Sequence, residues 1–486
     1  MPPPSSDPTA GPGRVAVLGA GPAGLAASLA LARRGATPVL YERAATVGGI
    51  CRTLSYQGYY FDLGGHRFFT KFDEVQRLWE EVLPDDLLLR PRMSRIYYGG
   101  DFYDYPLRAT NALRNLGAVE SARCMASYLR ARLRPNRVEE SFEDWVSNRF
   151  GNRLFDIFFR TYTEKVWGIP TSQIGAEWAA QRIKNLSLGT AVKSALPRRL
   201  ARVLPGSNET VTSLIEQFHY PRRGPGQMYD AMQVLAAEAG ADIRTRHEVV
   251  GLLREGHRVT HVEVRNADGV HTEPADQVLS SIPLTVLVRS LRPAAPSEVL
   301  AAVDRLRYRH LLTVDLIVDH PDLFPDNWIY VHDPALKLGR IQNFKNWSPE
   351  MVPDPSRTSL GLEYFCSTGD SLWEASDEEL LAIGTRELEE TGLLRGAKVL
   401  DGTVFRVPRA YPVYERGYEA HLDCIVDFVK GLDNVQPMGR YGMFKYNNSD
   451  HSILTALLAV ENLHGARHDL WAVNTDSDYQ EIRQNG

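Results

Sequence analysis

The run Gly19-Ala-Gly21-Pro-Ala-Gly24 constrains this chain more than any other feature of its 486 residues. Before it, Arg14–Leu18 reads as a short buried strand. After it, residues 21–34, rich in Ala and Leu, read as a helix, and Pro38–Glu42 reads as a second strand. In such a βαβ unit the first glycine allows a tight turn. The second lets the backbone approach a pyrophosphate at the positive end of the helix, and the third permits close helix–strand packing. Glu42 stands 23 residues after Gly19, where a carboxylate accepts hydrogen bonds from a ribose. The chain should therefore hold a dinucleotide. No second run of this kind is present, so a separate NAD(P)H domain is not indicated.

Composition removes several alternatives. With 55 Lys+Arg against 60 Asp+Glu the formal charge is −5, which gives no global basic footprint for nucleic acid. Four scattered cysteines form no CxxC pair, so neither a metal site nor a disulfide framework is expected, and a reducing, cytoplasmic setting is the default. Val15–Ala32 is apolar, but Pro22 interrupts it and no basic segment precedes it, so no membrane span or signal peptide is read there. Residues 1–13, rich in proline, read as a disordered tail. From Ala109 to Gln217 helical patterns dominate, with Ser141-Phe-Glu-Asp144 resembling a capping box. Strand character returns at Asp242–Leu253, Arg258–Arg265, Val278–Ser281, Leu311–Val318, Trp328–His332 and Thr358–Phe365. Residues 378–390 read as a helix, and an apolar helix starts at Asp450 and runs to about His464.

Val47-Gly48-Gly49 follows the acidic strand end, and Arg52-Thr53 comes next. Alone this is an ordinary loop. Glu42, Gly48-Gly49 and Arg52 together resemble the FAD fingerprint of the flavin amine oxidase and protoporphyrinogen oxidase superfamily. Further along stand Gly64-Gly65-His66-Arg-Phe-Phe69, Tyr105-Pro-Leu107, Tyr162-Thr163-Glu-Lys-Val-Trp167-Gly-Ile-Pro-Thr, and Gln181-Arg182. Trp328-Ile-Tyr330, Arg340, Tyr411-Pro and Gly439-Arg440-Tyr-Gly follow, then Tyr446 and Asp450-His-Ser452. In this order the motifs, from about residue 14 to 465, resemble the UDP-galactopyranose mutase family.

The resemblance implies an α/β fold: a Rossmann-like FAD-binding domain (14–72, 222–290 and 432–475), an inserted helical domain (109–217) and an antiparallel β-sheet substrate domain (73–108 and 291–431). It assigns FAD to Gly19, Gly21, Pro22, Ala23, Gly24, Glu42, Arg43, Gly48, Gly49, Arg52, Gly64, Gly65, His66, Val249, Gly439, Arg440, Asn447, Asp450 and Ser452. The C-terminal helix, starting at Asp450–Ser452, would aim its N–H groups at the flavin pyrimidine edge and stabilise an anionic reduced ring. Arg222-Arg223 is a candidate for the flavin loop, and Arg198-Arg199 for a solvated face.

The substrate implied is a nucleotide sugar. Arg182 and Arg340 would clamp its diphosphate. Tyr330, Tyr411 and Tyr446 would donate hydroxyls, and Tyr105, Trp167 and Trp328 would stack on a base or sugar. Phe69, Arg92, Leu107 and Thr163 complete the candidate site. His66 would donate near flavin N5 or the C4 carbonyl, so the catalytic candidates are His66, Arg182 and Arg340. The reaction implied is an isomerisation without net redox change. Reduced FAD attacks the anomeric carbon through N5, the nucleoside diphosphate leaves, the ring reopens as a furanose and the diphosphate returns. An external reductant, NAD(P)H or a reductase, would keep the flavin reduced, and a homo-oligomer is compatible with all of this. Thr163, the short loop 445–450 and Arg108 leave the base and sugar open: a GDP- or dTDP-sugar fits as well. The rival reading is a flavin oxidase or desaturase, which shares the FAD frame without needing the two arginines. Segments at Leu188-Gly189 and Gly339 are candidate lids.

Overall fold

The computed structural model describes residues 12–107, 109–176, 178 and 216–474. Most of the 1–13 tail and the positions Arg108, Gln181, Arg182, Leu188-Gly189 and Arg198-Arg199 lie outside the described residues. The fold is mixed α/β. Its centre is a five-stranded, wholly parallel sheet in the order Val435–Pro437, Gln277–Ser280, Val15–Leu18, Val39–Glu42, Asp242–Thr245. All five are short, and the middle one, Val15–Leu18, is apolar and fully buried because helices cover one face of the sheet and a second sheet covers the other, while the edge strand Asp242–Thr245 is polar. The helix Pro22–Arg33 follows the first of them. Its small residues Ala23, Gly24, Ala26 and Ala27 are buried, and the apolar C-terminal helix Ser449–Leu463 shares one core with it. Full burial of a side chain such as Leu25 or Leu29 contributes about 1.5–3 kcal/mol.

Beside this unit lies a four-stranded sheet, Gly269–Pro274, Arg258–Asn266, Glu248–Glu255 and Leu291–Arg292. A seven-stranded sheet forms the other half of the molecule. Its order is Val399–Pro412, Tyr308–Val318, Thr358–Cys366, Arg340–Asn343, Trp328–Val331, Ser94–Tyr98 and Asp101–Asp104. Every pairing in it is antiparallel except Trp328–Val331 with Ser94–Tyr98, which is parallel.

The region read as helical holds Ala109–Leu133, broken at Gly117, and Phe142–Phe150, which is capped reciprocally by Ser141 and Asp144. It continues through Asn152–Trp167 with a π-helical turn at Asp156–Arg160. Gln217 opens a strand instead, Gln217–Pro221, paired antiparallel with Leu87–Pro91. Among the described residues, no helix is long and apolar enough to cross a membrane.

Candidate active site

All five parallel strands end at one edge, and the residues that leave them line a single cavity of about 1130 Å³. Gly19, Glu42, Arg246, Ser281 and Gly439 come from the five ends in turn. That is the place where open parallel sheets bind ligands. The volume exceeds the usual 300–1,000 Å³ range of small-molecule sites, as a dinucleotide plus a substrate would require.

The fingerprint turn is built as the glycine spacing requires. Gly19 holds a φ of 91°, and the Ser281 hydroxyl donates to the carbonyls of Leu18 at 2.9 Å and Gly19 at 3.1 Å. A Cβ on Gly24 would overlap the Gly19 carbonyl oxygen, whereas at Gly21 the nearest atom stands 4.0 Å away, in Gly49. That room lies at the N-terminus of Pro22–Arg33, where an anion is favoured. The Glu42 carboxylate accepts from the amides of Ala20 at 2.9 Å and Ala44 at 2.8 Å. Each oxygen keeps a second lone pair for a ribose hydroxyl. The cavity is also lined by Asn448, the N-cap of the C-terminal helix, and by Ser449 and Ser452 of its first turn. These features fit a flavin dinucleotide laid along the strand ends.

The cavity also takes in Pro22, Ala23, Arg43, Gly49, Arg52, Gly64, Gly65, His66, Val249, Arg440 and Asn447, together with Phe69, Arg340, Tyr411 and Tyr446. Gly24, Gly48 and Asp450 sit behind its wall. Arg92, Tyr105, Leu107, Thr163, Trp167, Trp328 and Tyr330 lie outside its lining. Trp167 and Trp328 are buried and have no free face for a ligand. Trp167 instead meets Tyr411 and Tyr446 at 6.5 and 6.0 Å, and Trp328 packs on Trp347 at 5.4 Å beneath Arg67 and Arg92. Tyr330 gathers Tyr105, Tyr162 and Trp328 around it at 5.1, 5.4 and 6.2 Å. Arg222 is held by Asp86 at 2.8 Å and Glu350 at 2.6 Å, so Arg222-Arg223 does not reach the flavin cleft.

Two guanidiniums face the cavity around the Tyr411–Tyr446 stack, whose rings lie 6.2 Å apart. Arg440 sits 4.0 Å over Tyr446 and 5.4 Å over Tyr411, and it pairs with no carboxylate among the described residues. Arg340 forms an ion pair with buried Glu363, which also accepts from Gln342 Nε2 at 2.7 Å. Burial works against the charge on Arg340, and Glu363 overrides it, so the group stays protonated. Glu363, Gln342 and Asp315 escaped the sequence reading. A lone carboxylate inside each apolar run, Thr358–Cys366 and Tyr308–Val318, is the signal that marks the two acids.

His66 is deep in the protein but faces the open cavity. Burial, then the guanidiniums of Arg440 and Arg340, hold its pKa down to about 4 against the Leu63 carbonyl and Glu363. Its Nε2 lies 3.3 Å from the Leu63 carbonyl oxygen, which fixes that nitrogen as the donor. Its Nδ1 meets Cys51 Sγ at 3.6 Å, and burial pushes that thiol up to about 12, so it remains S–H. Both ring nitrogens are therefore engaged by the protein, and His66 does not stand as the free donor to flavin that its position in the motif suggests.

A family model for flavin containing amine oxidoreductases matches residues 22–412. The chain belongs to that family. Its members carry a flavin, and the dinucleotide cleft makes the cofactor FAD. The fold is shared with a crystal structure of reduced UDP-galactopyranose mutase at 22% identity and a TM-score of 0.80, covering 95% of this chain and 97% of that one. A protein described as a protoporphyrinogen oxidase, from Exiguobacterium sp. 255-15, matches at 18% and 0.70, over 93% and 98%. A putrescine oxidase variant matches at 15% and 0.62, over 93% and 98%. In sequence, 85 residues are 35% identical to a 15-cis-phytoene desaturase of Synechococcus elongatus, which is 17% of this chain and 18% of that protein's length.

Three outcomes test the site. Gly24→Ala should cost roughly 3 kcal/mol or more by forcing the helix off the turn, read as a lost or much earlier thermal transition. Gly21→Ala should leave the apoprotein's transition in place and abolish FAD absorbance after purification. Nitrogen-resolved NMR of the imidazoles at pH 6 should find His66 neutral with its proton on Nε2, and a doubly protonated ring would overturn the assignment. Between its unfolded value of 6.5 and about 4 the unfolded chain binds a proton that the folded site refuses, so this group lowers stability as pH falls through that window.

Proposed function

We propose that the protein is a nucleotide-sugar mutase that interconverts pyranose and furanose forms of a UDP-galactopyranose-type substrate with FAD held reduced and no net redox change. The observation that carries this reading is the pair of half-buried guanidiniums, Arg340 and Arg440, flanking the Tyr411–Tyr446 stack on the cavity wall that also holds His66. An oxidase of amines or polyenes has no use for two cations there, whereas a departing diphosphate gains negative charge and needs them.

Reduced FAD supplies an electron-rich ring nitrogen, N5, as a nucleophile toward the anomeric carbon. The chain supplies the rest. Arg340, already oriented by Glu363, binds the diphosphate and keeps it within reach for return, with Arg182 as its proposed counterpart. Burial raises the Tyr411 hydroxyl, which therefore stays protonated and donates to phosphate oxygen. Trp167, packed edge-on behind Tyr411 and Tyr446, keeps the pair in place and water out. Glu42, Gly21, Arg52 and the first turn of Ser449–Leu463 hold the cofactor. An external reductant, NAD(P)H or a reductase, reaches the flavin in the cytoplasm. The desaturase segment and the oxidase folds favour the second reading, a hydride-removing flavin oxidase.

Under anaerobic conditions, dithionite-reduced protein should convert a UDP-hexopyranose to the furanose, while oxidised protein should be silent. Turnover indifferent to flavin redox state, or peroxide formed from an amine or polyene, would favour the oxidase. Arg340→Ala leaves Glu363 buried and uncompensated, at about 3–5 kcal/mol, so Arg340→Lys is the cleaner probe. It keeps the charge, loses the fork and should cost roughly 100-fold in kcat/KM with the flavin spectrum intact. Arg182→Ala should likewise abolish nucleotide-sugar binding.

A further inference from the structure

Arg340 opens a strand that is reached through the loop 332–339, which joins it to Trp328–Val331. That loop is gripped from both sides. Lys165, on the helix Thr161–Trp167, donates to the carbonyls of Val331 at 3.0 Å, Asp333 at 2.8 Å and Leu338 at 2.9 Å. Glu387, buried on the helix Asp377–Glu390, accepts from the amides of Lys337 at 3.0 Å and Leu338 at 2.8 Å. All three donors of an ammonium and both oxygens of a carboxylate are thus spent on one short piece of backbone. The stem is closed by Val331 N–H donating to the Gly339 carbonyl at 2.9 Å, and Gly339 N–H donates to the Glu363 carbonyl at 2.9 Å. A Cβ at Gly339 would meet the Phe365 ring at 2.5 Å, so the backbone lies flat against the sheet. Gly339 is therefore no lid hinge.

We propose that Lys165 and Glu387 are positioning residues for substrate binding. Lys165 gathers the loop's carbonyls, Glu387 gathers its amides, and together they fix the backbone from which Arg340 reaches the diphosphate. The inference rests on the mutase reading above and extends it to two groups that touch neither cofactor nor substrate. Lys165 has a second effect. Its helix carries Tyr162, whose ring packs against Tyr330 at 5.4 Å and stacks on His332 at 4.8 Å. One ammonium therefore sets the spacing between the aromatic wall on the helix and the cationic strand on the sheet. An error of about 1 Å at such a site is worth orders of magnitude.

The test is the dissociation constant of UDP for the FAD-loaded protein, measured by calorimetry, with flavin absorbance and the thermal midpoint followed in parallel. Lys165→Met and Glu387→Gln should each weaken UDP roughly 10- to 100-fold while FAD is retained. In an Arg340→Lys background the same substitutions should change affinity less than threefold, because they act through the Arg340 fork. A residue that serves only stability would lower the midpoint and leave the affinity alone. Unchanged affinity in the FAD-loaded variants, or the full loss repeated in the Arg340→Lys background, overturns the proposal. Should Lys165→Met fail to fold with FAD, Glu387→Gln decides. If the parent protein binds none of UDP, GDP and dTDP, the mutase reading falls and this inference with it; if it binds GDP or dTDP instead, the same variants are measured with that nucleotide.

Discussion

A parallel sheet covered on both faces can offer a ligand only its strand ends, and this constraint shapes the rest of the protein. The five central strands come from residues 15–18, 39–42, 242–245, 277–280 and 435–437, yet their C-terminal ends meet at one edge. A site assembled this way belongs to no single stretch of sequence. It needs close packing behind it, which Gly24 supplies against Gly19, and open space in front of it, which Gly21 supplies. The same glycine run serves fold and cofactor through opposite requirements only three residues apart.

Charge inside the site is arranged with equal economy. Glu363 and Asp315 are buried on neighbouring strands, and Asp62 is buried on Tyr59–Asp62. Burial, then the charges of Glu363 and Asp62, push the Asp315 carboxyl well above its ordinary range. Burial lifts Asp62 to about 7 against the hydroxyls of Tyr220 and Thr53. A carboxyl raised in this way stays protonated up to a higher pH than an exposed one and so spares the core an unpaired anion. Arg340 is the cation that Glu363 can be charged against. The pairing leaves the guanidinium Nε, itself buried, without a hydrogen-bond partner among the described residues.

Local chemistry was readable from sequence, and long-range chemistry was not. The fingerprint turn, Glu42 and the C-terminal helix are written in contiguous residues, and the structure has them within a residue or two of the expected bounds. The strand Val399–Pro412 escaped notice because it lies at a sheet edge. Its exposed charges, Gly402 and Pro408 break the alternation that betrays a strand. Arg340–Asn343 carries no strand signal of its own, since its buried Gln342 and Asn343 are satisfied by partners distant in sequence, Glu363 and the Phe324 carbonyl. The histidine motif points to a residue that lines the cavity, His66. It did not reveal that Cys51, fifteen residues earlier, engages the other ring nitrogen.

The two catalytic candidates that can be compared differ in how firmly they are held, and the difference follows from what each must do. Arg340 is fixed at its side chain by Glu363 and at its backbone by a loop whose carbonyls and amides are both taken. In the proposed reaction, where Arg340 holds a departing diphosphate until it returns, such rigidity is a gain, because any freedom is entropy lost again at every binding event. His66 follows Gly64, which holds a φ of 101°, and its ring is tied by two contacts of 3.3 and 3.6 Å. Contacts of that length are weak. Little stability is lost in exchanging the Nε2–H contact with Leu63 for a cofactor's own acceptor. The cation is thus set before any ligand arrives, and the imidazole is left able to answer one.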